Sequence, residues 1–446
     1  MRYFNPDIET MPLSRLRQLQ SERLRNLTAY LYERVPFYRK QLDEAGIRPS
    51  DIKGVESLHK LPFTRKFHLR DYYPFGLFAV PQQEVIRIHA SSGTTGKPTV
   101  VGYTRQDIAV FSEVVARSLV AAGCQPGMKL QNAYGYGLFT GGLGLHYGAE
   151  LLGMAVIPVS GGMTDRQLML LQDFQPEAIA CTPSYAQTLA EQLGHRGIGL
   201  DKLNLRTAIL GAEPWTEAVR QQVEIGLGVN AINIYGLSEI IGPGVSNEDF
   251  EEKGTGSYIW EDHFFPEIVD KDTGEPVPEG AYGVLVFTTL TKQAMPLLRY
   301  WTNDITNIYY EHSEKRTHIK MGTILGRADD MLIIRGVNLF HTQVEAVISF
   351  FGQLSPSYQL IVSREGAMDG VEVKVELEPV FYRQLVLSGP WTEASANNPA
   401  LYALHHELTK KIKDNIGLSM KITLCEPGSI PRSEGGKLSR VVDLRK

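Results

Sequence analysis

Cysteine, long apolar runs and an excess of either charge are all scarce in this 446-residue chain, and each scarcity excludes something. Cys124, Cys181 and Cys425 are odd in number, far apart and without CxxC spacing, so neither a disulfide framework nor a thiol redox pair is expected. They read as buried, inert thiols. The longest apolar stretch, Leu151 to Val159, is broken by Gly153 and Pro158 and falls short of the roughly 18 residues of a membrane helix. The opening MRYFNPDIETMP lacks the basic-then-apolar pattern of a signal peptide, so a cytoplasmic protein with no membrane partner is expected. With 45 Lys+Arg against 50 Asp+Glu the formal charge is −5, which leaves no basic footprint for nucleic acid. Tandem repeats and low-complexity tracts are absent from the sequence as well.

What is present suits a large globular protein: 43% hydrophobic residues, 42 glycines and 24 prolines, on a chain long enough to bury about three quarters of its surface. Leu16, Leu19, Leu24, Leu27 and Leu31 recur at helical spacing, with Gly46 as a stop, so residues 1–80 are expected to form a helical entry to the large domain. Beyond Tyr103, helical stretches alternate with short apolar runs (Ala155 to Val159, Ala178 to Cys181, Thr207 to Leu210), the pattern of a parallel α/β sheet. From Gly254 the runs turn β-rich, including Gly283 to Leu290 and Ile305 to Tyr310. Near Gly326 a compact β/α/β/β/α/β order begins, in which 380 to 400, rich in Gly, Pro, Ser and Asn, reads as a surface loop.

The sharpest chemical signal is Ser91-Ser92-Gly93-Thr94-Thr95-Gly96-Lys97-Pro98. Its glycines let the backbone approach an anion, its hydroxyls add donors and Lys97 adds charge, a combination suited to a polyphosphate. It is not a Walker P-loop, which needs four residues between its glycines, Ser/Thr after the lysine and a following helix; here Pro98 leads into a β-like run. Downstream, Gly211-Ala212-Glu213-Pro214 and Tyr235-Gly236-Leu237-Ser238-Glu239 each follow a strand-like run, where open α/β sheets bind ligands.

This ordered set resembles the motifs of adenylate-forming enzymes, the superfamily of acyl-CoA synthetases, adenylation domains and luciferases. The resemblance implies an α/β fold: a large N-terminal adenylate-forming domain, with parallel α/β sheets and a β-rich subdomain over 81–327, and a small mobile α+β C-terminal domain over 331–446, joined by a hinge at 328–330. It also implies roles. Ser91 to Lys97 would hold phosphates. Gly211 to Pro214, with Tyr235 stacking on adenine and Gly236 beside it, would hold the nucleotide, and Glu239 would help bind Mg²⁺. In Tyr300-Trp301-Thr302-Asn303-Asp304, Asp304 would accept bonds from the ribose, with Asn303 standing where the family has glycine, a residue that also visits left-handed geometry. Within Gly326 to Gly336, Arg327 would contact the ribose, Asp329 would be the pivot, and Arg335 and Gly336 would face coenzyme A. Lys437, in Pro431 to Arg440, would be the catalytic cation, stabilising charge that grows on the α-phosphoryl group.

Tyr32 to Tyr38, Tyr134 to Gly142, Trp260 to Phe264 and Thr288 to Thr291 narrow the resemblance to the phenylacetate–CoA ligase family. That family joins an arylacetic acid, ATP and coenzyme A through an acyl-adenylate and commonly forms homodimers. Tyr134, Tyr136 and Phe139, on a Gly-rich segment, offer flat walls for an aromatic acid, and Ala212, Ile240 and Pro243 would complete the pocket. Trp260, Phe264 and Phe265 read as core. The family would also lead one to expect cysteines in the stretches matching 246–252 and 311–318. None occurs here, so no structural zinc is expected, and Glu248, Glu251, His312 and His318 read as part of a solvated acidic loop. Two alternatives stay open at this level: adenylation with a carrier protein or amine as acceptor, and a catalytically silent nucleotide-binding protein.

Overall fold

The computed structural model describes residues 2–91, 98–310, 315–328, 331–335, 337–365, 368–386, 398–434 and 438–445; at 338, 365, 368 and 386 only the backbone is described. The entry region is helical, as its leucine spacing predicts. Leu16, Leu24, Leu27 and Leu31 are buried along helix Leu13–Arg34. Pro36, which lacks an N–H and suits a first helical turn, starts a second helix, Pro36–Glu44, and Gly46 follows it at φ +68°.

A nine-stranded sheet forms the centre of the large domain. Ala155–Ile157, Lys129–Asn132, Ala178–Cys181, Thr207–Gly211 and Asn230–Leu237 run parallel in that spatial order. Gly242–Glu248, Ser257–Ile259, Lys320–Met321 and Ile308–Tyr309 extend it antiparallel. Helices Thr164–Phe174, Pro183–His195 and Glu217–Leu227 contribute Leu168, Leu189 and Val223 to one apolar layer with the parallel strands. Arg105–Ala121 and Thr140–Leu152 contribute Val114, Leu119 and Leu145 to the main core. A second sheet, antiparallel, orders Phe264–Val269, Gly283–Thr289, Tyr300–Thr306 and Gly326–Arg327. The run Ile305 to Tyr310 is divided at Asn307 between the two sheets, where its sequence reads as one strand. A hairpin, Arg87–Ser91 with Thr99–Tyr103, brackets the Gly-rich loop, whose residues Ser92 to Lys97 lie outside the described ones.

The Trp260-Glu261-Asp262-His263-Phe264 motif is interior, and Trp260 and Phe264 are core residues as the sequence reading has them. Its acids fasten the entry helix to the large domain. Arg117 forks onto Asp262 at 2.8 and 3.1 Å and reaches Glu113 at 2.6 Å; Gln20 donates to the Glu261 carbonyl at 3.0 Å; and Arg23 donates to the Asp262 carbonyl. Arg316 joins Glu9 at 2.8 Å and also pairs with Asp249. Excellent geometry and shared partners keep these buried charges satisfied.

Past Leu332 the apolar residues gather into a separate core. Lys421–Cys425, Met368–Leu377, Leu354–Glu365 and Val441–Asp443 form its sheet, with helices His341–Ile348 and Pro399–Ile416 packed against it. The stretch read as a loop from 380 begins instead as helix Pro379–Val386. Glu378 accepts from the backbone N–H of Val380 and Phe381 at 2.8 Å each, and Leu385 is buried, so a cap and an apolar face outweigh the loop-like composition that follows.

Candidate active site

Two neighbouring strands end at one place. Thr207–Gly211 delivers Gly211, where a Cβ would stand 2.1 Å from the Ile234 carbonyl oxygen, and then Ala212 at φ +72°. Asn230–Leu237 delivers Tyr235 and Gly236, the latter so close to the Gly242 carbonyl that a Cβ would fall 1.8 Å from it. Glycine is required at both points because the chains touch there.

From the second sheet, strand Tyr300–Thr306 brings Asp304 opposite, in register with Arg327. The Tyr235 hydroxyl donates to Asp304 Oδ2 at 2.5 Å, and the Tyr300 hydroxyl donates to Glu239 Oε1 at 3.2 Å. Burial first, and the facing carboxylate second, push both phenols well above the ordinary tyrosine range, so both remain protonated donors. Asn303 lies at φ +69°, the left-handed geometry expected of a glycine stand-in, with its side-chain oxygen held by Trp301 Nε1 at 2.8 Å. Behind the loop, buried Lys292 donates to the Glu239 carbonyl oxygen at 3.0 Å, and Thr140 and Ser238 hydroxyls meet at 3.0 Å. Burial pushes the Lys292 ammonium down to about 8, against the opposing pull of Asp107 and Glu239.

A cavity of about 730 Å³ opens between these elements and the C-terminal domain. Ser91, Ala212, Tyr235, Glu239, Asp304 and Arg327 line it on the large-domain side. Glu213, Pro214 and Gly236 line it too, whereas Gly211 lies beneath as a packing residue. Of the residues expected to wall an aromatic acid, Phe139 and Ala212 reach the cavity. Tyr134 and Ile240 are buried in the core around it. Tyr136 turns to Asn132, at 2.8 Å, and His146, at 3.1 Å. Pro243 packs over Gly144, where a Cβ would come within 2.9 Å of its ring. Arg335, at φ +50°, is exposed and donates to the Asp369 carbonyl at 2.9 Å. Lys97, Asp329, Gly336 and Lys437 lie outside the described residues.

Several cavity residues escape sequence reasoning. Pro183, Ser184 and Gln187 follow strand Ala178–Cys181, and the strand-end rule that singled out Gly211 to Pro214 applies equally to them. His341 and Glu345 arrive from the C-terminal domain, which no local pattern places here, whereas Arg440 closes the Pro431 to Arg440 motif. Burial raises the Glu345 carboxyl to about 7 and lowers the His341 imidazole to about 4.

The Glu239 carboxylate, one oxygen engaged by Tyr300 and the group facing the cavity, fits a hard cation that keeps phosphate and water ligands. Elsewhere, Glu248 accepts both arms of Arg220 at 2.9 Å, Glu251 pairs with Lys315 at 2.7 Å, and His318 is buried near Glu261; His312 lies outside the described residues. His318 therefore belongs to the core, where the sequence reading had an exposed acidic loop, because Trp260 packs edge-on against its ring.

Comparison with known proteins agrees with this geometry. The chain matches a family model described as AMP-binding enzyme over residues 37–292 and one described as AMP-binding enzyme C-terminal domain over 336–445. It is 64% identical to phenylacetate-coenzyme A ligase of Thermus thermophilus over 99% of this chain and 100% of that one. Among solved structures, 2-hydroxyisobutyryl-CoA ligase in the postadenylation state with R3-HIB-AMP is 28% identical, with a TM-score of 0.90 over 100% of this chain and 93% of that one. The same ligase in its thioesterification state, with 2-HIB-AMP and CoA, covers as much and is also 28% identical, but its TM-score is 0.72.

Proposed function

The chain belongs to the phenylacetate–CoA ligase family of AMP-binding enzymes, and from that premise we propose that it activates an arylacetic acid with ATP and transfers the acyl group to coenzyme A. In the first half-reaction a carboxylate oxygen of the acid attacks the α-phosphorus of ATP, forming the acyl-adenylate, and pyrophosphate leaves. In the second, the thiol sulfur attacks the acyl carbonyl as its proton is lost, and AMP leaves. The observation that carries this reading is the cavity at two strand ends, bounded by Tyr235, Glu239, Asp304 and Arg327 and faced by the segment just after Lys437.

In this reading Tyr235 presents its ring to adenine, while Asp304, fixed by the Tyr235 hydroxyl, and Arg327 hold the ribose. Ser91 to Lys97, with Gly211 to Pro214 and Gly236, enclose the phosphates and the base. Glu239, oriented by Tyr300 and anchored through its carbonyl by Lys292, is the protein ligand of Mg²⁺, which supplies charge neutralisation on the phosphates. Phe139 and Ala212 touch the aryl group, with Tyr134, Tyr136, Ile240 and Pro243 setting the pocket from behind. Lys437 stabilises the negative charge gathering at the α-phosphoryl group. Asp329, in a 328–330 hinge, then lets the 331–446 domain turn so that Arg335 and Gly336 face the thiol.

Among the described residues no helix is long and apolar enough to cross a membrane. The proposal includes a cytoplasmic homodimer, which light scattering tests. Pyrophosphate release across aryl and alkyl acids, with and without coenzyme A, tests the function. Turnover that needs both an arylacetic acid and coenzyme A is the expected result. Release without coenzyme A consumption points to another acceptor, and silence across the panel points to a nucleotide-binding protein without this activity.

A further inference from the structure

The chain on both sides of Lys437 is held by side chains of the large domain. Upstream, Arg432 is first fixed within its own domain. Its two terminal nitrogens reach the fully buried Glu376 at 2.9 and 2.7 Å, and the Ile430 N–H donates to the same carboxylate at 2.7 Å. That fork leaves the Arg432 Nε free to cross the seam, where it donates to Glu191 Oε2 at 2.9 Å. One residue on, the Thr188 hydroxyl, whose single hydrogen goes to the Ser184 carbonyl at 3.1 Å, lies 3.4 Å from the Ser433 carbonyl. Thr188 and Glu191 both lie on helix Pro183–His195 of the large domain. Gly162, at φ +76°, lets this irregular segment pass: a Cβ there would stand 2.9 Å from the Glu434 carbonyl oxygen.

Downstream, the residue after Lys437 is held in turn. The Leu438 N–H donates to Glu213 Oε1 at 2.6 Å, and Ser184 fixes that carboxylate from the other side, hydroxyl to Oε1 at 3.0 Å and N–H to Oε2 at 3.3 Å. Ser184 thus engages both Glu213 oxygens and sets the carboxylate whose Oε1 receives the Leu438 N–H.

We propose that Glu191 and Glu213 are positioning residues that clasp residues 432 and 438, and so deliver Lys437 for adenylate formation. The proposal rests on the reading of Lys437 as the group that acts in that half-reaction. Arg432 keeps Glu376 in any domain orientation because both belong to one domain. Its bond to Glu191 spans the two domains and exists only while they are docked as here. The clasp therefore favours the first half-reaction and must be released before the second.

The test separates the halves. Single-turnover adenylate formation from ATP, Mg²⁺ and phenylacetate is measured without coenzyme A, and thioester formation is measured from preformed phenylacetyl-adenylate and coenzyme A. Glu191→Gln is expected to slow adenylate formation about 1.5- to 5-fold, the range for a half-exposed ion pair. Glu191→Lys, which sets like charges opposite each other, is expected to slow it about tenfold, with the gap to the wild type narrowing as salt rises. Thioester formation stays unchanged or quickens in both variants, which also reports that they fold. Equal slowing of both halves, or unchanged adenylate formation in Glu191→Lys, overturns the clasp. Lys437→Ala, run alongside, distinguishes the two readings. If it retains adenylate formation, the role of Lys437 fails; if it loses it while Glu191→Lys does not, the clasp alone fails.

Discussion

Lys292 offers a pH test of how the Glu239 loop is built. Its ammonium is buried, donates to the Glu239 carbonyl at 3.0 Å and lies 5.1 Å from the centre of the Tyr103 ring, with Asp107 and Glu239 as the acids that oppose its desolvation. Burial lowers its pKa from 10.5 to about 8. In the unfolded chain the proton is held up to the ordinary value, and in the fold it is released earlier. Between those pH values the unfolded state binds more protons, so stability rises with pH. The displacement corresponds to a cost of roughly 3 kcal/mol at pH 7, shrinking to roughly 1.4 kcal/mol at pH 9.5. Lys292→Met removes the titration at similar volume, though it also leaves the Glu239 carbonyl without its donor. The absolute stabilities therefore mix two effects, while their change with pH isolates one. Urea unfolding, followed by tryptophan fluorescence, to which Trp215, Trp260 and Trp301 of the large domain contribute three of the four indoles, is the assay. The wild type should gain about 2 kcal/mol on Lys292→Met between pH 7 and pH 9.5. Ionisation of unfolded tyrosines affects both proteins alike and cancels. A wild-type advantage that stays flat or falls with pH refutes a buried, titrating Lys292.

Arg117→Met should cost about 3–5 kcal/mol in urea unfolding, because it leaves the Asp262 carboxylate buried without its fork, whereas Arg117→Met with Asp262→Leu should recover most of that loss. Charged partners hold the Glu113 carboxyl down to about 2, so its contribution to stability is present above pH 4.5 and is lost as pH falls towards 2; a Glu113→Gln protein should show a shallower acid transition by circular dichroism. Asn303→Ala should lose about 1 kcal/mol in thermal unfolding through its left-handed backbone, while Asn303→Gly should retain the backbone geometry and with it the affinity for ATP. Gly236→Ala forces a carbon to within 1.8 Å of the Gly242 carbonyl, so both stability and ATP affinity should fall; equilibrium binding of ATP checks the second.

The parts of the site legible in the sequence are those set by local rules. The segments at 211–214 and 235–239 carry the ends of strands Thr207–Gly211 and Asn230–Leu237, whose apolar runs are of strand length, and Asn303 occupies a position whose geometry its own side chain tolerates. The Trp260 to Phe264 motif shows its apolar members as core, but the role of its acids depends on Arg117 and the entry helix, far away in sequence. Tyr134, Tyr136 and Phe139 are close neighbours in the chain, yet of the three only Phe139 lines the cavity, because Tyr134 is buried in the core and Tyr136 turns to Asn132 and His146. Glu345 and His341 are invisible as site residues, since they reach the cavity through the docking of one domain on another, which no periodicity encodes.

The acyl-adenylate is the centre of this account, and isotope transfer tests it most directly. The protein is supplied with ATP, Mg²⁺, coenzyme A and phenylacetate labelled with heavy oxygen in its carboxylate, and the products are weighed by mass spectrometry. Phenylacetyl-CoA together with AMP carrying one heavy oxygen is the predicted result, because the bond that breaks in the second half-reaction leaves an acid oxygen on the phosphorus. Thioester formed with unlabelled AMP, or with ADP and inorganic phosphate in place of AMP and pyrophosphate, would contradict it.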